Sequence, residues 1–327
     1  MLVGVPGVDS VAVGRAQAAS GADVLVATAP DASAIAADGD GVMFTDRLGG
    51  RLLRVGPDKT VRVLATVPIR RPVAGQRGLL GLAIDRRDAP TGPVGRRTVY
   101  MSYVDTDGRL VVGVISVDGE RDATGSLKVL WTGRRAADLA NGGTLRILGA
   151  QLLVSLGQNI TGDGESSGRI IALPLPKGAV LPVASSVAVA GRWHNPFGFD
   201  VGVDRRGRPI DELWVADNAP REEPERIVRV HGIGQSASIV EERIAVKTAP
   251  SSLVVVDADH VALCGFVSHR LELLTIRPTG AALVAKRTTL ADDCAVGLAL
   301  LPGRRLAYGT GVSIKVVSIK VVAIPTR

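Results

Sequence analysis

Three short stretches of the chain carry side chains able to do chemistry. Gln76 stands in Gly75-Gln76-Arg77-Gly78-Leu79-Leu80-Gly81, where glycines permit close backbone approach and the amide offers both a donor and an acceptor. His194-Asn195-Pro196 sets an imidazole, able to move a proton near neutral pH, beside a second amide. The stretch from Trp214 to Glu225 supplies Asp217 and Glu225, carboxylates of the kind that hold a hard cation. Gathered on one axis, Asn195, Asp217 and Glu225 would suit a Ca²⁺-dependent lactonase or hydrolase, provided three or four oxygens converge. Each residue has a plain scaffolding role beside the chemical one. Asn195 before a proline sets a turn, Gln76 satisfies loop backbone, and Asp217 caps a strand end.

Positioning such groups is the work of strands. Apolar runs broken by Gly or Asp turns recur from end to end, with little helical periodicity. The clearest unit is 42–55, a strand, a glycine turn and a second strand. Similar pairs follow at 98–117, 151–175, 212–230, 260–276 and 305–319. Regular repetition of small antiparallel units predicts an all-β fold, a six-bladed β-propeller of four-stranded antiparallel blades, because neighbouring blades bury both faces of each sheet. A two-sheet sandwich or two β domains is the less fitting alternative. No linker divides the chain, so residues 31–327 read as one domain, preceded by an N-terminal segment, 1–30, ordered only in part. The polar loop 161–168 follows a strand and is expected at one rim, where a site would lie.

Composition narrows the partners. The 327 residues carry a net charge of +7, yet the basic residues come as scattered Arg pairs, such as Arg70-Arg71 and Arg304-Arg305, without aromatic interleaving. That pattern describes a solvated surface rather than a specific nucleic-acid interface. No apolar run reaches the roughly 18 residues of a membrane helix, and the first residues make a poor export leader. Cys264 and Cys294 lie in apolar strand-like runs. Two buried free thiols are the favoured reading, with a disulfide the alternative if the protein is exported.

Gly75–Gly81 resembles the GQxGLLG signature of the soluble PQQ-dependent glucose/sorbosone (aldose sugar) dehydrogenases. Further stretches are similar to that family's motifs in the same order: Arg97–Tyr103, Asn141–Leu145, Gly157-Gln158 followed by Ser167–Ile171, Asn195–Phe199 and Trp214–Pro220. The resemblance implies a six-bladed propeller that oxidises an aldose at its anomeric carbon, with a histidine base, pyrroloquinoline quinone (PQQ), Ca²⁺ and cations that hold the quinone. It implies cofactor contacts from Gln76, Gln158 and Asn195. It also implies Ca²⁺ ligands from the carbonyls of Ala219 and Pro220, with Asp217 close by and Glu225 in the acidic position. A sugar or glycan is the implied ligand, and an extracytoplasmic location is what the family suggests.

The chain departs from the family where catalysis resides. Ala140 occupies the position of the base, and no histidine occurs between residues 1 and 193. His194 replaces an arginine and is the candidate for a substitute base, unless another group fills that role. The cationic residues of the last blades have no counterpart in Gly265–Arg270 or Asp292–Ala295. The residues therefore favour loss of the standard chemistry over its retention. A non-enzymatic propeller that binds a small molecule, a glycan or a partner through its rim is the alternative.

Overall fold

The computed structural model describes residues 24–29, 31–39, 41–56, 58–71, 73, 75–85, 97–117, 126–158, 168–175, 187–219, 223–233, 238–244, 247–277, 283–313 and 316–324. Most of the N-terminal segment, the polar loop at 161–167 and Pro220 lie outside them. Strand β1 (Val24–Ala29) precedes five sheets that follow one another along the chain. The first contains β2 (Ala32–Asp38), β3 (Gly41–Asp46), β4 (Arg51–Val55) and β5 (Val61–Thr66). The second contains β6 (Leu79–Asp85), β7 (Arg97–Val104), β8 (Arg109–Val117) and β9 (Lys128–Arg135). The third contains β10 (Gly142–Leu148), β11 (Gln151–Leu156), β12 (Gly168–Pro174) and β13 (Val187–Trp193). The fourth contains β14 (Gly198–Val203), β15 (Pro209–Asp217), β16 (Arg226–His231) and β17 (Ser238–Arg243). The fifth contains β18 (Pro250–Asp257), β19 (His260–Gly265), β20 (Leu271–Ile276) and β21 (Val284–Ala291). The last sheet combines β22 (Cys294–Leu301), β23 (Arg305–Ser313) and β24 (Val316–Ala323) with β1, which pairs antiparallel to β24.

All neighbouring strands run antiparallel, and the architecture is a β-propeller of four-stranded blades. Each hairpin unit expected from the sequence forms the two middle strands of a sheet. The reason is visible in β3, whose six residues are all buried: a middle strand is covered on both faces, so its apolar run is continuous. Outer strands are legible only weakly because they face water, as in β5, where Val61, Arg62 and Val63 are exposed. Cores form between sheets. Met43 and Leu52 pack with Leu79 and Met101 across the first junction, and Leu153 and Ile170 with Phe199 and Val228 across the third. Ile35, Phe44 and Leu53 meet Ala299, Leu301 and Ala307, which joins the last sheet to the first.

Polar links reinforce the inner strands. Ser251 Oγ donates to Ala295 O at 2.6 Å, and Ser102 and Thr144 make corresponding bonds to Gly143 O and Phe197 O. Asp200 accepts from Arg146 at 2.8 Å and from the Val255 amide at 2.9 Å, tying three successive sheets together. Cys264 of β19 and Cys294 of β22 are joined by a disulfide, which corrects the reading of two free thiols. Burial in an apolar strand describes a bridged cysteine as well as a free one. What decides is the fold, which brings residues 30 apart in sequence to a Cα–Cα distance of 5.6 Å, within the span of a disulfide. No helix among the described residues is long and apolar enough to cross a membrane.

Candidate functional site

A cavity of about 590 Å³ opens at one end of the propeller. It is built where the chain enters the innermost strands: Asp31 to Ser33 before and within β2, Gly75 and Gln76 before β6, Leu139 before β10, Phe197 before β14, Ala249 to Ser251 at β18, and Ala295 and Val296 in β22. Turns after second strands complete the wall with Arg47, Asn218, Phe266, Val267 and His269. Most of these side chains are apolar. Leu139, Phe266 and Val267 are 55%, 45% and 53% exposed, so the rim offers carbon to whatever enters.

Of the residues singled out from the sequence, Gln76 lines this cavity, and it is held tightly. Its amide N–H donates to Asp138 O at 2.7 Å, its carbonyl accepts from Asn141 Nδ2 at 2.9 Å, and its Oε1 accepts the Ala140 N–H at 2.8 Å. Gly75 must be glycine, since its φ is +55° and a Cβ there would stand 1.9 Å from Asp138 O. Ala140, at the expected position of the base, is buried with a φ of +56° and presents only a methyl group.

Asn195 is buried behind Gln76, with Nδ2 at 3.4 Å from Gln76 Oε1; its Oδ1 has no partner among the described residues. Its backbone N–H and that of His194 both donate to Asp217 Oδ1 at 2.9 Å. Asp217 Oδ2 meets His194 Nδ1 at 3.1 Å and Arg226 Nη2 at 2.6 Å. The carboxylate, wholly buried, is thus surrounded by donors and caps the chain rather than facing the cavity. Burial works against the Arg226 charge, but the bonds and charges of Asp217 and Glu241 prevail and raise the guanidinium pKa above its ordinary value. His194 is gripped from both sides, its Nε2 lying 2.8 Å from Glu223, and it does not line the cavity. Gln158 donates its backbone N–H to His194 O at 2.5 Å and likewise stands outside the cavity wall.

Glu225 belongs to a separate cluster. Its Oε2 accepts the Thr248 amide at 2.7 Å, and its Oε1 accepts the Ala249 amide at 2.9 Å and lies 3.0 Å from Lys247 Nζ. Lys247 Nζ also donates to Ala219 O at 2.7 Å. The Ala219 carbonyl and the Asp217 and Glu225 carboxylates, expected near Ca²⁺, are therefore already engaged by protein donors, while Pro220 lies outside the described residues. Among the described residues no group of three or more His, Cys, Asp or Glu is arranged to hold a metal ion.

The basic side chains on the cavity wall are Arg47 and His269. Arg47 is paired with Asp31 at 2.8 Å and donates to Gly75 O and Arg77 O at 2.7 and 3.2 Å. Burial raises the Asp31 pKa, with Arg47 pulling the other way. A quinone with several carboxylates needs fixed, uncommitted positive charge, and this wall does not fit it. Sequence reasoning missed the apolar rim, the Asp31–Arg47 pair and Lys247. Phe266-Val267 in a polar turn was the available signal.

No protein-family model and no curated protein matches the chain. Solved structures do. An oxidoreductase described as a glucose dehydrogenase, from Thermus thermophilus, shares 17% identity over 92% of this chain and 99% of its own, with a TM-score of 0.70. The PQQ-bound aldose sugar dehydrogenase of Streptomyces coelicolor shares 16% identity over 92% and 98%, with a TM-score of 0.69. A gluconolactonase from Xanthomonas campestris shares 13% over 93% and 89%, with a TM-score of 0.58. At these identities the likeness is one of fold.

Proposed function

We propose that the chain from β1 (Val24–Ala29) onward, and not only from residue 31, forms a single propeller of six blades, related in fold to the soluble sugar dehydrogenases, that binds a neutral, largely apolar small molecule at its mouth. The observation that carries this reading is the division of labour around the 590 Å³ cavity: carbon lines most of the opening, while Gln76 Oε1 and the Asp217 carboxylate beneath it are taken up by hydrogen bonds within the protein. Binding an apolar molecule there needs shape and desolvation, with few polar anchors. Oxidising a sugar needs a base at the bound hydroxyl and uncommitted positive charge at the quinone. Ala140 supplies no base, His194 lies off the cavity between two carboxylates, Arg47 is neutralised by Asp31, and the wall's imidazole, His269, has no side-chain partner among the described residues to orient it as a base. Recognition without quinone chemistry is therefore the function these residues serve.

The test is a titration of the purified chain with PQQ in the presence of Ca²⁺, followed by a dye-coupled assay over a panel of aldoses, alongside a titration with an uncharged fluorescent hydrophobic probe. The expected result is saturable probe binding with neither PQQ binding nor dye reduction. Calcium-dependent PQQ binding with aldose-driven dye reduction would overturn the proposal.

A further inference from the structure

Lys247 occupies an unusual place. Its ammonium lies 2.7 Å from the carbonyl of Ala219 and 3.0 Å from Glu225 Oε1, within a cluster in which Glu225 is 2% exposed. Both distances are those of N–H···O bonds. An ammonium offers three donors, and here it bridges a backbone carbonyl and a carboxylate as a bound cation would. A Ca²⁺ ion would instead need six or more oxygens, water included, at roughly 2.3–2.6 Å. The same Glu225 carboxylate accepts the amides of Thr248 and Ala249 at 2.7 and 2.9 Å. This one cluster therefore fastens two parts of the cavity wall: Asn218, which precedes Ala219 and follows β15, and Ala249 with Pro250 at the start of β18.

We infer that Lys247 is a built-in cation: its ammonium does the organising work of a metal ion between Ala219 and Glu225, so the wall is assembled without divalent ions, and removing the ammonium opens a cation site. These bonds form within the protein itself, whether or not the cavity binds an apolar ligand. Without the lysine, the Ala219 carbonyl and one Glu225 oxygen lose their shared donor. A buried carboxylate left short of positive charge attracts whichever cation can reach it.

Thermal unfolding of the full chain and terbium luminescence test this together. The wild type is expected to melt at the same temperature in chelator and in millimolar Ca²⁺, and to show no sensitised terbium emission. Lys247→Met is expected to melt about 5 °C lower in chelator, to regain much of that loss with Ca²⁺, and to acquire terbium emission. Lys247→Arg, which keeps the charge, is expected to stay within about 2 °C of the wild type. Calcium stabilisation of the wild type that disappears in Glu225→Gln would overturn the inference. So would a Lys247→Met variant that melts like the wild type and ignores Ca²⁺. If Lys247→Met fails to fold, the wild type and Lys247→Arg decide the matter: an insensitive wild type with a stable arginine variant supports the built-in cation, and a calcium-stabilised wild type refutes it.

Discussion

Two layers at the mouth, a buried polar one and an apolar rim, have been built to different ends. On one, Gln76, Asn195, Asp217 and His194 form a chain of hydrogen bonds in which Asp217 alone accepts from two backbone amides, an imidazole and a guanidinium. On the other, Leu139, Phe266 and Val267 stand exposed around the cavity with no polar task. The contrast teaches that residues which look catalytic in type can be structural in use. A carboxylate surrounded by donors is a fastener, whereas an exposed aromatic side chain at a cavity rim is free to meet a ligand.

Substitutions in the two layers should separate accordingly. The largest effect is expected from Asp217→Ala, which strands the half-buried Arg226 and frees two backbone amides. Denaturant unfolding should show a loss of about 3–5 kcal/mol. Next comes the double replacement of Cys264 and Cys294 by alanine. It reopens a loop closed between residues 30 apart, and the same measurement should show a loss of about 3 kcal/mol. His194→Ala sharpens the comparison further: it should cost about 1 kcal/mol of stability while leaving probe binding unchanged, whereas a catalytic or binding histidine would alter ligand affinity.

The smallest effect concerns pH. Burial raises the Asp31 pKa in the folded protein above its ordinary value of 3.8, so the folded state holds that proton more firmly than the unfolded chain. The stability this contributes is complete below the unfolded value and is lost as pH rises through the folded one. Replacing Asp31 by Asn should therefore remove a shallow decline in stability above the usual carboxylate range, which a series of melts across mildly acidic pH would reveal. A variant with the same slope as the wild type would contradict that assignment.

Much of the fold was legible because middle strands are buried on both faces, and 42–55, 151–175 and 212–230 announce themselves as apolar hairpins. The outer strands were silent, since half their residues meet water. Of the candidate site, one sequence-named residue, Gln76, proved to line the cavity, while the apolar rim was not legible. Gln76 could be singled out from its glycine loop, yet nothing local says that its amide oxygen is taken by Ala140 N–H, 64 residues away. Lys247 gave no signal at all, because its partners Ala219 and Glu225 are brought to it only by the approach of two blades. The disulfide was ambiguous for the same reason: pairing depends on which strands become neighbours.

The most direct measurement compares the two layers with one reporter, the binding of an uncharged fluorescent hydrophobic probe to Val267→Asp and to Asn195→Ala. Placing a charge on the apolar rim should weaken binding by about tenfold or more, while Asn195→Ala, which alters the buried polar layer behind Gln76, should change it by less than about twofold. The opposite ranking, with Asn195→Ala abolishing binding and Val267→Asp leaving it intact, would contradict the account and return the polar residues to the centre of the site.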